Sequence, residues 1–489
     1  MNAMRLAAAT VVVVVTVALL SVGAASGKPP GITVPCTGQA DLVAAINATN
    51  SAGGGTINLT RGCDYQLTSV DNSGENGLPV ITTSIIINGW QSTIDGTNSV
   101  RVFEVDGTDG NLTLYDLTIT GGSADVGGGI ANFAGTVTLY HSEVSGNSAL
   151  VGGGGIASAS VTPTLDPSDT VATLTLHKSS VSGNQQTLPP GDDENGWLGG
   201  GGILNIDGTA TLDQLSQVNG NMAQGGVGGG IASGDYIGTG GETVLTLDHS
   251  QVNDNVAPNA GGGGIQNLLG SATLNHSQVD GNSSLNGGGI ASGNAGSEGT
   301  AELRLNHSEV NGNTATAGPG GEGPPFAAGG IANGSNAVLD HSQVDNNSSP
   351  HGIGAGIVNH GMMAISYSEV NGNNAPASGV LGSAGGILNT QGPPGTTPAV
   401  LTIDHSMVDD NSAAGGFGGG IANGIPLPGP ISPPGGDLTI TYSVVAGNTA
   451  AHGGGIFNSG GTVSLSNTNV SGNQIDNCEP ANSIPGCTN

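Results

Sequence analysis

One short pattern returns along most of this chain and limits what the chain can fold into. The nine residues LDHSQVNDN (247–255) return as LNHSQVDGN (274–282), LNHSEVNGN (305–313), LDHSQVDNN (339–347) and IDHSMVDDN (403–411). The Val-x-x-Asn part occurs eleven times, ending at Asn147, Asn184, Asn221, Asn255, Asn282, Asn313, Asn347, Asn373, Asn411, Asn448 and Asn473. Successive copies lie 25 to 38 residues apart, a spacing typical of solenoid proteins.

A glycine-rich element alternates with this pattern. It reads Gly-Gly-Gly-Ile in most copies and ends at Ile130, Ile156, Ile203, Ile231, Ile265, Ile290, Ile331, Ile357, Ile387, Ile421 and Ile456. The chain contains 91 glycines and 24 prolines, a content that would indicate disorder in a sequence without a period. The regular spacing instead predicts that glycine serves turns and close approaches between stacked coils.

Within one copy, apolar and polar side chains alternate as they do in a strand. Leu245 and Leu247 point to one face and Thr246 to the other. After a bend, Ser250 and Val252 form a second short strand, and the glycine-rich element supplies a third. Strands this short bury their apolar face only by stacking coil on coil. We therefore predict an all-β fold, a single-stranded right-handed parallel β-helix of about twelve coils, about 55 Å long at ~4.8 Å per coil.

The two elements also resemble a known family. They are similar to the repeats of pectin-lyase-like β-helix proteins, and in particular of bacterial polymorphic outer-membrane proteins, whose hallmark pair is GGAI and FxxN. This chain has GGGI at most coils and VxxN throughout, and the resemblance covers about residues 110–475. The resemblance implies the same right-handed parallel β-helix.

The regions outside the repeat predict an exported protein with capped ends. Residues 1–25, with Arg5 before an apolar run, resemble a secretory signal peptide, and an uncleaved membrane anchor is the alternative. Residues 26–110 are predicted to form an N-terminal cap, including a helix in QADLVAAINATNS, and the first coils. Repeats occupy 111–473 and a C-terminal cap 474–489. We expect secretion or a cell-envelope surface location, without a membrane span in the mature chain.

The net charge restricts the classes of partner to be expected, and the cysteines bear on the cellular compartment. The formal net charge of −30 disfavours nucleic acid and anionic lipid, which leaves an extracellular carbohydrate or a cell-surface protein. Four cysteines in an exported chain predict disulfides. Of the three pairings, Cys36 with Cys63 and Cys478 with Cys487 is the simplest, because it closes each end separately.

The recurring histidine raises the main question about chemistry. The column comprises His141, His249, His276, His307, His341 and His405. Other coils place Lys178, Tyr367, Tyr442 or Asn467 there, which a set of metal ligands would not tolerate. We predict a structural ladder, because a bend before an inward serine favours residues that accept a left-handed backbone. Catalysis, or transition-metal binding by the four adjacent imidazoles from 249 to 341, is the alternative.

Insertions between coils offer the non-repetitive chemistry. In the loop 185–199, Asp192, Asp193 and Glu194 are candidate calcium ligands beside Trp197, a candidate sugar-stacking residue. Phe326, in the loop 314–328, is a second candidate ligand-binding residue. A solvated loop stiffened by proline is the alternative. The sequence indicates no other cofactor and no catalytic residue.

Together these features predict a non-enzymatic, adhesin-like binding scaffold at the cell surface or outside the cell. The alternative is a polysaccharide lyase or glycoside hydrolase of the same fold, acting on an extracellular glycan. Such lyases use an Arg or Lys base beside calcium held by clustered Asp, and the hydrolases use paired carboxylates; the sequence places neither set. Ice or mineral binding by an outward threonine column is a third hypothesis, disfavoured by the mixed residues beside it.

Overall fold

Short strands stack in parallel columns, and successive coils of the chain form a right-handed parallel β-helix. In this computed structural model the described residues are 31–71, 74–160, 171–190, 198–236, 240–293, 301–316, 327–376, 383–392, 398–426 and 434–489. Residues 31–489 belong to one compact unit. The predicted fold class is confirmed.

The first two columns meet at the bend of the repeat. Strands of the first column are Ile32–Val34, Gly55–Leu59, Ser84–Asp95, Asn111–Thr120, Thr136–Tyr140, Thr173–His177, Thr209–Asp213, Val244–Asp248, Ser271–Asn275, Glu302–Asn306, Asn336–Asp340, Met362–Ser366, Val400–Asp404, Asp437–Thr441 and Thr462–Ser466. Strands of the second column are Asp64–Gln66, Glu143–Ser145, Ser180–Ser182, Gln217–Asn219, Gln251–Asn253, Gln278–Asp280, Glu309–Asn311, Glu369–Asn371, Met407–Asp409, Val444–Ala446 and Asn469–Ser471. Two long strands, Ser84–Asp95 and Asn111–Thr120, run through the bend and pair in both columns.

The other two columns flank the glycine-rich element. Strands of the third column are Ser123–Val126, Ser148–Gly152, Gln185–Gln186, Met222–Ala223, Val256–Gly261, Ser283–Asn286, Thr314–Ala315, Ser412–Phe417 and Thr449–His452. Strands of the fourth column are Phe103–Asp106, Ile130–Phe133, Ile156–Ala159, Ile203–Ile206, Ile231–Gly234, Ile265–Leu268, Ile290–Ser292, Ile331–Asn333, Ile357–Asn359, Ile387–Asn389, Ile421–Asn423, Ile456–Asn458 and Cys478–Glu479. The sequence predicted three strands per coil; the third column adds a short one directly after the repeat asparagine.

The core runs along the axis of the helix and is built from the aliphatic residues of the repeat. Leu245, Leu247 and Val252 are fully buried, as is Ile265 of the same coil. The parallel register places Leu247 beside Leu274 of the next coil, so like residues stack on like. Each such side chain contributes roughly 2 kcal/mol of transfer free energy before the entropy cost of ordering the chain.

A ladder of buried asparagines closes the corner after the second column. The side-chain Nδ2 of Asn313 donates to Oδ1 of Asn347 at 3.0 Å and to the backbone oxygen of Val279 at 2.8 Å. Its Oδ1 accepts from the backbone N and Nδ2 of Asn282, at 2.9 and 3.0 Å. The same pattern links the repeat asparagines from Asn147 to Asn473. These bonds satisfy backbone groups that the corner would otherwise leave buried and unpaired.

Both ends are closed separately, as predicted. Helix α1 (Gln39–Ser51) buries Leu42 and Ile46 against the core at the N-terminal end. The disulfide Cys36–Cys63 ties the chain before α1 to the first coils, and Cys478–Cys487 closes the last segment. Among the described residues there is no helix with the length and apolar character needed to cross a membrane.

Candidate functional site

The bend between the first and second columns has one backbone conformation in ten coils. Its central residue has a φ between 46° and 50° at His141, Lys178, His249, His276, His307, His341, Tyr367, His405, Tyr442 and Asn467. This left-handed conformation normally costs roughly 1–2 kcal/mol for a residue with a side chain. It is held by neighbouring coils: the backbone N of His276, for example, donates to the backbone oxygen of Asn306 at 3.0 Å.

The side chains at this bend form a continuous stack, which we call the ring column. Its seven rings belong to His249, His276, His307, His341, Tyr367, His405 and Tyr442. Successive centroids are 4.7 to 5.0 Å apart and the planes lie within 7° to 22° of each other. Because each inner ring has a neighbour on both faces, ring edges are presented to solvent, and Tyr367 and Tyr442 are 52% and 58% exposed.

Carboxylates orient several imidazoles of the ring column. The Nδ1 atoms of His249, His341 and His405 lie 3.0, 3.1 and 2.8 Å from the carboxylate of the preceding aspartate. The hydrogen bond from His341 lowers the pKa of Asp340, and those from Thr441 and His405 lower the pKa of Asp404. Such a contact fixes the ring orientation and leaves Nε2 to meet an outside partner.

A second cluster lies where strands of the first column end, and its residues entered the sequence analysis only as part of the mixed residues beside the outward threonine column. The rings of Tyr115, Tyr140 and His177 stack at 4.7 and 4.5 Å. Nδ1 of His177 is 2.6 Å from Oδ1 of Asp213, and these side chains are only 19% and 23% exposed. All four residues share one register position in neighbouring coils. Aligning the repeats brings the four residues to that position, one before the histidine column, but does not show that His177 and Asp213 are in contact.

Carboxylates also line the outer side of the second column. The pKa of both Asp280 and Asp345 is raised to about 6, mainly by burial and in smaller part by the charge of Glu309, which lies near both. The backbone N of Asn311 and that of Asn371 donate to these carboxylates, at 3.0 and 2.9 Å, and lower the pKa in part. Asp280 and Asp345 are therefore carboxylates whose charged form is disfavoured in the folded state.

The raised pKa values of Asp280 and Asp345 predict that the free energy of unfolding falls as pH rises. A carboxyl whose folded pKa is above its unfolded pKa contributes stability that is present below the unfolded value and lost as pH rises through about 6. Asp280→Asn/Asp345→Asn should therefore raise the free energy of unfolding, and with it the melting temperature, at about pH 7.5. The gain is about 1 kcal/mol per site after allowance for solvent screening, and much less at about pH 4.5. Asp64→Asn, at an exposed position, is the control. An equal gain at both pH values in thermal scans would refute the assignment.

The loop residues singled out from the sequence, Asp192, Asp193, Glu194, Trp197 and Phe326, lie outside the described residues. The calcium site and the sugar-stacking site suggested there remain predictions. His141 shares the backbone conformation of the ring column, but the next coil carries Lys178 at that place.

Comparisons with known proteins identify no family for this chain. No protein-family model matches the chain, and no curated protein matches it. Among solved structures, the A-module of mannuronan C-5 epimerase AlgE6 from Azotobacter vinelandii is similar over 89% of this chain and 94% of that chain, with 10% sequence identity and a TM-score of 0.22. A similarity at that TM-score carries no argument about function. The resemblance to polymorphic outer-membrane repeats rests on the sequence motifs alone.

Proposed function

We propose that the protein is an exported, non-enzymatic scaffold that binds an extracellular carbohydrate through the ring column. The observation that carries this proposal is the even 4.7 to 5.0 Å spacing of seven rings with their edges toward solvent. Those edges present imidazole nitrogens and phenol hydroxyls in one line. A line of regularly spaced polar groups complements a polymer of regularly spaced hydroxyls better than it complements a compact substrate.

Rigidity and charge support the same proposal. Each ring is attached to a residue whose backbone is held by ladders on both sides, so little backbone entropy is lost on binding. The aspartates beside His249, His341 and His405 make the rim acidic. A polyanionic glycan would be repelled by this rim, and a neutral polysaccharide would not.

Variants at the exposed tyrosines test the proposal. Tyr367→Asn and Tyr442→Asn keep a residue that accepts the left-handed backbone, as Asn467 does at the same place. We expect each to raise the Kd for a bound neutral polysaccharide about fivefold, because each removes about 1 kcal/mol of edge contacts. Leu215 is exposed and lies in a coil that contributes no ring to the ring column. Leu215→Ala should therefore leave the Kd unchanged.

Co-sedimentation with insoluble polysaccharides and calorimetry with soluble ones give the Kd. Equal binding by the wild type, the tyrosine variants and the Leu215→Ala control would contradict a role for the ring column. Adhesion to cells that the tyrosine variants lose, without binding to any glycan, would point to a cell-surface protein as the partner.

The alternative function, a lyase or hydrolase acting on an extracellular polysaccharide, is favoured by one observation. His177 is oriented by Asp213 at 2.6 Å, and Tyr140 stacks on it, which is an arrangement suited to general base and acid roles. Lys178, a cation in an acidic chain, is the next residue. On this hypothesis His177→Gln abolishes product formation from pectate, alginate or related glycans, with or without calcium, and His405→Gln does not.

A further inference from the structure

We infer that Asp248, His249 and His276 form a binding site for one divalent transition-metal ion of the zinc and copper class. One ligand atom from each of the three side chains lies within 4.8 Å of the others. Within the part of the chain that the structure describes, this is the one group of three histidine, cysteine or acidic side chains brought so close. The inference rests on this geometry and does not depend on the carbohydrate proposal.

The distances suit a small ion bound from the side of the ring column. Oδ1 of Asp248 is 3.0 Å from Nδ1 of His249, a little shorter than the separation of about 3.4 Å between two ligands of a tetrahedral ion at about 2.1 Å. The ion would replace the proton that now lies between these atoms. The His249 and His276 rings are 4.8 Å apart, with planes within 7°. Ligand atoms of a tetrahedral ion are about 3.4 Å apart, so His249 and His276 must turn out of their parallel stack to bring ligand atoms that now lie within 4.8 Å onto one ion.

The setting combines a fixed backbone with movable side chains. Residues 244–248 pair in parallel register with 271–275, which holds the two bends one coil apart. His249 and Asp248 are 57% and 48% exposed at the side chain, so their rotamers can adjust without disturbing the core. Three protein ligands leave a coordination position open toward solvent, as in exposed zinc sites that bind a further group.

The residues that replace Asp248 in neighbouring coils explain why the site occurs only at the coil of His249. The coils of His276 and His307 carry Asn275 and Asn306 where Asp248 stands, and a neutral amide is a poor ligand for this class of ion. Two aspartates further along the chain, which precede His341 and His405, already accept hydrogen bonds from hydroxyl groups. Asp340 accepts from Ser366 at 3.0 Å, and Asp404 accepts from Thr441 at 2.5 Å.

Zinc titration of the untagged full chain, first stripped with a chelator, tests the site. Calorimetry with zinc chloride alone should give one saturable ion per chain. His276→Asn should raise the Kd at least about tenfold and Asp248→Asn by a similar factor. His405→Asn, which removes a ring-column imidazole beside an aspartate elsewhere, should leave the Kd unchanged. Asparagine tolerates the left-handed bend, so both histidine variants are expected to fold.

Cobalt substitution gives a second, spectroscopic readout that does not depend on the heat measured by calorimetry. The wild type and His405→Asn should show the visible absorption of a low-coordinate cobalt ion, and His276→Asn should not. The inference is overturned if the wild type binds zinc without saturation, or if His276→Asn and His405→Asn weaken binding equally. Failure of these tests would leave polysaccharide binding by the tyrosines untouched, since that assay contains no metal.

Discussion

Gly288→Ala is expected to prevent the coil that contains residue 288 from adopting its native structure. A Cβ on Gly288 would lie 2.4 Å from the backbone oxygen of Gly329 and 2.5 Å from that of Thr314. Both contacts are with backbone of the next coil, which cannot rotate away as a side chain can. We expect a loss of more than about 3 kcal/mol of unfolding free energy, or insoluble protein.

Gly312→Ala is the matched control in the same region. Gly312 has a φ of +63°, and no neighbouring atom lies within 4 Å of the place that a Cβ would take. The change therefore costs only the left-handed backbone penalty, about 1 kcal/mol. Denaturant midpoints followed by circular dichroism give the comparison. If both variants lose the same stability, the close approach of coils at the glycine-rich element is not what requires glycine there.

Asn313→Asp is expected to have the second-largest effect. Asn313 is fully buried, and its side chain makes four hydrogen bonds, two as donor through Nδ2 and two as acceptor through Oδ1. Aspartate has the same shape but no donor, so it would direct an oxygen at Oδ1 of Asn347 and at the backbone oxygen of Val279. We expect a loss of about 4 kcal/mol at neutral pH, from the lost bonds and the buried charge.

Asn311→Asp provides the control two residues earlier. Its column already carries aspartate in both adjacent coils, at Asp280 and Asp345, and Oδ1 of Asn311 accepts from the backbone N of Asp345 at 2.9 Å. Aspartate can still accept that bond, so we expect a cost of about 1 kcal/mol from like charges on neighbouring strands. Equal destabilisation by the two variants in chemical denaturation would show that the inner ladder needs shape and not a donor.

Much of the fold could be predicted because the same pattern recurs in every coil and shows which residues of adjacent coils lie side by side. The alternation of Leu245, Leu247 and Val252 identifies which side chains face the core, and the structure buries all three. The helix at 39–51 and the two terminal disulfides also follow from local signals in the sequence. The third column was not predicted, because its strands of two to six residues have too little pattern of their own and form only against a neighbouring coil.

The candidate site could be predicted only in part. The left-handed bend at His249 follows from residue preference, but the stacking of rings depends on the side-chain rotamers in neighbouring coils, which a single copy of the repeat does not reveal. His177 and Asp213 are 36 residues apart, with an insertion between their coils. Alignment of the repeats places both one position before the histidine column, but their contact depends on side-chain rotamers that the sequence does not specify.

Polysaccharide chain length, measured together with binding, tests the central claim most directly. The purified chain is incubated with a panel of neutral and acidic polysaccharides, and each mixture is analysed by co-sedimentation and by size-exclusion chromatography. A binding scaffold is expected to retain a polysaccharide through Tyr367 and Tyr442 and leave its length unchanged. Reproducible shortening of a polysaccharide by the wild type, lost in His177→Gln and kept in His405→Gln, would contradict the account.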